Sequence, residues 1–240
     1  MKTANDLDLY EREAHLWWDS CSHAFRSLHA VNAYRRQVLT EWFGTSLHGR
    51  NVIDLGCGGG LLSKFFVDAG ARVVGLDVSG ASLRVAQKRL AAGFAQGDVQ
   101  RAPFADESAD IVLLSDVLEH VERPAEAVAE AARILRPGGK CFVSTLNRTL
   151  RARVLGVWVA EGLGLVPRGT HDADMFVRPA ELDRWALASG LEIAQLRGES
   201  LDLGRTIRRW TVSLRHGNDC AVTYTALLLK TEPQSSPFYN

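Results

Sequence analysis

Asp116, Glu119 and His120, in the stretch SDVLEHVE, bring two carboxylates and an imidazole together at spacings i, i+3 and i+4. If the segment opens a helix, all three share one face. Oxygen and imidazole ligands suit a hard divalent cation such as Mg2+, which as a Lewis acid lowers the pKa of a bound hydroxyl. A second reading needs no metal: His120, with Glu119, is the general base for an attacking hydroxyl. A third leaves Glu119 and His120 as caps at a helix start.

A second set of acids surrounds a glycine turn. VIDLGCGGGLLSKFF (52–66) runs from an apolar strand through glycines into a helical spacing of Leu61, Leu62, Phe65 and Phe66, a geometry that exposes backbone N–H groups to a ligand. No Lys-Ser/Thr follows the glycines, so the ATP-type phosphate loop is excluded, and Leu61 stands where a dinucleotide fingerprint needs its third glycine. Asp54, two residues before the turn, would repel pyrophosphate and attract positive charge. Asp77, ending the next strand, can accept both hydrogens of a ribose diol. Asp98, in QGDVQRAPF, is placed to accept from an adenine amino group.

The elements that must position these residues alternate. Strand ARVVGLD (71–77) leads to helix GASLRVAQKRLAA, a short strand near FAQGD, the apolar run ADIVLLS (109–115), an amphipathic helix over 124–135 and strand KCFVSTL (140–146). Such alternation predicts an α/β fold with a parallel sheet and helices on both faces, its ligands beyond the strands' C-terminal ends. Asp54–Gly60, Asp77, Asp98, Ser115–His120 and Thr145–Arg148 all fall there. PAELDRWALASG (179–190) reads as a helix, and LEIAQLRGES, RRWTVSLRHG and DCAVTYTALLLK as strands, the last two an antiparallel pair at the sheet edge. The expected divisions are an N-terminal helical cap (1–44), a Rossmann-like core (45–147), a helical lid on the substrate side (148–190), C-terminal strands (191–230) and a disordered tail (231–240).

A cationic amino acid joined to adenosine without phosphate, S-adenosylmethionine, satisfies all three acids. D-L-G-C-G-G-G, G-L-D, G-D-x-x-x-x-P-F and L-x-P-G-G, in that order over roughly 45–145, resemble the class I methyltransferases that use this cofactor. Further marks are WWD (17–19), LHxxN (28–32), Arg35, GCGGG (56–60), LEHV (118–121), STLNR (144–148) and P-x-GTHD (167–172). They resemble the quinone-ring O-methyltransferases of ubiquinone biosynthesis over residues 9 to about 230. The resemblance implies methyl transfer to a phenolic hydroxyl of a polyprenyl dihydroxybenzene or demethylubiquinol, an in-line displacement requiring the oxygen to be held and deprotonated. A catechol or other small-molecule acceptor is the alternative. The same resemblance places Arg35 against the cofactor carboxylate, Gly56 and Gly58 in the glycine turn, Asp77 on the ribose and Ser115 beside the adenosine. It gives the 116–120 triplet a metal-binding role, with Asp116 where relatives carry glutamate; Ala33 replaces a usual proline.

Trp17 and Trp18 either stack on an aromatic acceptor or anchor the N-terminal segment. His29, Asn147, Arg148, His171 and Asp172 are candidates for substrate or lid contacts, with ordinary polar roles as the alternative. VLGVWVAEGLGLVP (154–167) reads as an interfacial helix touching membrane lipid, as a lid, or as a packed helix.

Lys and Arg total 28 and Asp and Glu 28, so no net charge points to nucleic acid. The four cysteines are widely spaced, against zinc ribbons and disulfide scaffolds and in keeping with a reducing compartment. With no spanning-length apolar run and a charged N-terminus, the expectation is a cytoplasmic protein, peripheral at the membrane if 154–167 is the interfacial helix rather than a lid.

Overall fold

The computed structural model describes residues 7–155, 160–167 and 169–231. Part of the proposed interfacial segment (156–159) and the tail beyond 231 lie outside the described residues. The helices are α1 (Asp8–Arg12), α2 (Arg26–Phe43), α3 (Ser63–Asp68), α4 (Gly80–Arg89), α5 (Pro124–Ile134), α6 (Leu150–Ala152), α7 (Ala160–Gly162), α8 (Pro179–Ala188) and α9 (Leu203–Arg209). The strands are β1 (Asn51–Leu55), β2 (Arg72–Asp77), β3 (Gly93–Gln96), β4 (Ala109–Ser115), β5 (Leu135–Leu146), β6 (Leu191–Leu201), β7 (Leu214–Gly217) and β8 (Thr223–Lys230).

One eight-stranded sheet runs in the order β3-β2-β1-β4-β5-β8-β6-β7. β1 to β5 pair in parallel; β8 joins β5 antiparallel, and β6 and β7 continue that way. The central strands are apolar on both faces because both are covered. Successive residues of β4 divide between the two cores: Ile111 and Leu113 pack with Val38, Leu39 and Trp42 of α2 and Phe65 and Phe66 of α3. Val112 and Leu114 pack with Val128 and Ala131 of α5 and Leu182 and Ala186 of α8. Pro124 starts α5 at the position where its missing N–H costs nothing.

Three sequence expectations change. Residues 116–123 form no helix: they are a turn, entered through Asp116 at φ 54°. RRWTVSLRHG is not one strand, because its first residues end α9, the chain turns at Trp210 (φ 50°), and only Leu214–Gly217 pairs with β6. The C-terminal strand is not at the edge either; β8 lies between β5 and β6, and β7 forms the edge.

Candidate active site

Beyond the C-terminal ends of β1, β2 and β4 lies a cavity of about 340 Å3, lined by Asp54, Gly56, Gly58, Asp77, Asp98 and Ser115. The glycine turn is built from positive φ at Gly56 (78°), Gly58 (50°) and Gly60 (82°), a region L side chains rarely adopt. Gly58 N–H donates to Asp77 Oδ2 at 2.7 Å and Ser79 N–H to Oδ1 at 2.8 Å, so the turn and the start of α4 aim one carboxylate into the cavity. Burial raises its pKa, and the backbone N–H groups of Ser79, Gly58 and Val78 pull it back. Asp54 is 2 % exposed and accepts from Ser63 Oγ. Burial outweighs that bond and lifts its pKa to about 7. Asp98 accepts from Gln100 N–H at 2.9 Å, capping a short 3-10 turn at the cavity rim.

A second cavity, of about 270 Å3, lies beside the first and is almost wholly apolar. Leu28, Leu155, Leu165, Val166 and Leu203 are among its walls, with Glu119 and His171 as polar interruptions. Tyr10, Leu28, Asp116 and His120 line both cavities and form the junction between them.

Buried charges surround that junction. Arg35, 2 % exposed, grips Asp116 with both terminal nitrogens, the Nη2–Oδ1 distance being 2.8 Å. Nη2 is 3.8 Å from Glu199 Oε2. Burial alone would lower the Arg35 pKa, but Asp116 and then Glu199 reverse that and hold it charged. Glu119 is 1 % exposed; its Oε2 accepts from Thr145 Oγ1 at 2.8 Å. Burial, reinforced by Asp116, raises its pKa to about 8. His120 and His171 stack with ring centroids 5.7 Å apart. Burial lowers their pKa values to about 3 and 4, the His120 value further depressed by His171, so both rings are neutral at physiological pH.

This arrangement does not fit the expected cation. Without a helix the triplet shares no face; Asp116 is committed to Arg35, and Glu119 reaches back to Thr145. Among the described residues no three His, Cys, Asp or Glu side chains gather as a metal site.

Of the expected cofactor residues, all but Arg35 line the first cavity; Arg35 lines the second and meets the first through Asp116 and Ser115, whose Oγ is 3.4 Å away. Of the substrate and lid candidates, only His171 lines the apolar cavity. Trp18 donates to the Gly59 carbonyl at 3.0 Å, and His29 Nε2 is 2.9 Å from the Trp17 carbonyl. Asn147 donates to the Cys220 carbonyl at 2.8 Å, and Arg148 ties the end of β5 to Glu181 of α8. Asp172 caps a turn at Asp174 N–H (3.0 Å). Trp18, His29, Asn147 and Arg148 hold elements together, and Asp172 holds a local turn. Sequence reasoning missed Tyr10 and Glu199, and it placed Thr145 at a strand end on the ligand side without giving it a partner. Glu199 is 0 % exposed on β6, a segment the sequence marks only as a strand, and Tyr10 sits in a charged stretch without periodic signal.

Residues 53–143 match the model of a methyltransferase domain. The magnesium protoporphyrin IX methyltransferase of Synechocystis, solved with bound S-adenosylhomocysteine, superimposes with a TM-score of 0.65 at 18 % identity, covering 95 % of this chain and 96 % of that one. Fold and acid-lined cavity together define a class I S-adenosylmethionine-dependent methyltransferase. The ubiquinone biosynthesis O-methyltransferase of Aromatoleum aromaticum is 41 % identical over 226 residues, 91 % of this chain and 93 % of that protein. Its counterpart in Pseudomonas entomophila is 36 % identical over 237 residues, 95 % of this chain and 97 % of that one. The chain belongs to the family of ubiquinone biosynthesis O-methyltransferases.

Proposed function

We propose that the protein transfers the methyl group of S-adenosylmethionine to a phenolic oxygen of a dihydroxybenzene with an apolar tail, in ubiquinone biosynthesis. One observation carries this reading: an acid-lined cavity and an apolar cavity meet at His120. Asp77 takes the ribose diol, Asp98 the adenine edge, and Asp54 the positive charge of the methionine part. The acceptor enters the apolar cavity with its ring at the junction, which orients its hydroxyl in line with the methyl–sulfur bond. As the oxygen–carbon bond forms and the carbon–sulfur bond breaks, sulfur takes the electron pair and becomes neutral. The hydroxyl proton passes to His120, which is neutral and so able to accept it. A weak base suffices, because the proton becomes strongly acidic once the oxygen is methylated. Arg35 and Asp116 form the charged wall behind the junction.

No step here runs through a cation. The test is calorimetric titration with S-adenosylhomocysteine, then methyl transfer to a short-tailed demethylubiquinol with and without chelator. Binding and chelator-insensitive turnover are expected. Turnover lost with chelator and restored by Mg2+ would overturn the metal-free step, and no binding by the folded protein would sink the whole reading.

A further inference from the structure

Among the described residues, three side chains that line the apolar cavity each keep a buried polar atom without a hydrogen-bond partner; the Nε of one, Arg35, belongs to a guanidinium already held by Asp116. The other two atoms are Glu119 Oε1 and His171 Nδ1. Folded proteins seldom leave such groups unpaired, and those they do leave call for an explanation. Neither side chain is free to turn away. Glu119 is fixed through its other oxygen by Thr145 Oγ1 at 2.8 Å. The His171 ring is held between the stacked His120 ring and the edge of Phe176, whose centroid is 6.1 Å away. The carboxylate beside it, Glu161 Oε1, is 3.9 Å from Nδ1, too far for a hydrogen bond, and it already receives the His171 backbone N–H at 3.3 Å.

We propose that Glu119 and His171 together hold the acceptor's second oxygen, the free hydroxyl adjacent to the one that is methylated, and so determine specificity. The inference rests on the function proposed above. His120 stands at the junction and takes the attacked hydroxyl; His171, stacked against it, lines only the apolar cavity. Neighbouring oxygens on a ring lie roughly a hydrogen-bond length apart, so one His and the next can each serve one. The two unpartnered atoms are complementary to a hydroxyl: a protonated carboxyl donates to its oxygen, and a neutral imidazole nitrogen accepts its hydrogen. A methoxy group in that place leaves His171 without a proton to accept. A ring with one hydroxyl leaves both atoms unpaired, which is how a site built for a hydroxyl rejects an analogue lacking it. Protein groups thereby do the work of gripping a vicinal diol that a chelated cation would otherwise do.

The test separates binding from turnover. With S-adenosylhomocysteine in place of the methyl donor, dissociation constants are measured for a short-tailed 1,2-dihydroxybenzene and for the same ring with one hydroxyl. The wild type is expected to prefer the diol by about 100-fold, because the ring with one hydroxyl leaves two buried polar groups unpaired. His171→Phe keeps an aromatic ring in the stack but removes the acceptor, and the ratio should collapse towards one because the diol loses affinity. Glu119→Met should do the same, and Glu119→Gln, which can still donate, should restore much of the preference. Retained preference in both His171→Phe and Glu119→Met, or equal binding of the two rings by the wild type, overturns the assignment. A diol preferred in binding but never methylated with S-adenosylmethionine would instead refute the proposed function and leave this pair of contacts standing.

Discussion

At the scale of single residues the site is governed by burial. Asp54 can meet the cofactor's ammonium as an anion only above its raised pKa of about 7. Below that pH it is protonated and the attraction is lost, so S-adenosylhomocysteine should bind more tightly as pH rises from about 6 to 8. Asp54→Asn should flatten that dependence; a profile unchanged by the substitution would remove Asp54 from cofactor binding. The sequence brought Asp54, Asp77 and Asp98 to one cavity because each stands at or within two residues of a strand end, and strands are read from apolar runs. It could not reveal Glu199, or what Thr145 does at its strand end, because their importance comes from partners 164 and 26 positions away, Arg35 in one case and Glu119 in the other. Nor could it show that Asp116 would spend its charge on Arg35.

At the scale of elements, the N-terminal segment clamps the glycine turn. Trp17 lies over Gly58 and Gly59, stacks on Phe25 at 4.2 Å and donates to Ser82 Oγ of α4 at 2.8 Å, while Trp18 holds the Gly59 carbonyl. A methyl group on Gly59 would come within 2.3 Å of the Trp17 ring. Gly59→Ala should therefore cost about 1–3 kcal/mol of stability, measured by urea denaturation. The loss should shrink when Trp17→Ala is also present, since the two changes share one space. Additive losses would show that the clash is relieved elsewhere. The turn itself was legible from its glycines; the clamp was not, because Trp17 and Trp18 carry no periodicity that says what they cover. The same limit explains residues 116–123, where helical spacing of polar residues misled because the chain enters at a left-handed Asp116 and α5 waits for Pro124.

For the molecule as a whole, the buried ionisable groups set how stability varies with pH. In the folded protein Asp54, Glu119 and Glu199 have pKa values of about 7, 8 and 7, against ordinary values of 3.8 for Asp and 4.5 for Glu. Folded protein keeps protons that the unfolded chain has released, so their contribution is complete below the ordinary values and is lost as pH rises through 7 to 8. His120 and His171, at about 3 and 4 against 6.5, act oppositely: their contribution is present above 6.5 and is lost as pH falls through 4 and 3. Between pH 6.5 and 8 the acids dominate, and the melting temperature of the ligand-free protein should fall. Glu119→Gln should make the fall shallower. A melting temperature that is flat or rising across that range would contradict the assignment of these groups as protonated.

The placement of β8 bears on how the chain reaches this state. It follows every other described strand in sequence, yet it is an inner strand, bonded to β5 on one side and β6 on the other. Val222 and Thr223, where it begins, also close one wall of the apolar cavity. During synthesis the parallel half can assemble as it emerges, but β6 and β7 have no sheet to join until β8 arrives to bridge them. A ribosome paused before residue 223 would thus expose an unpaired edge along β5, the kind of edge on which nascent chains aggregate. The apolar cavity is the last part of the molecule to come into existence.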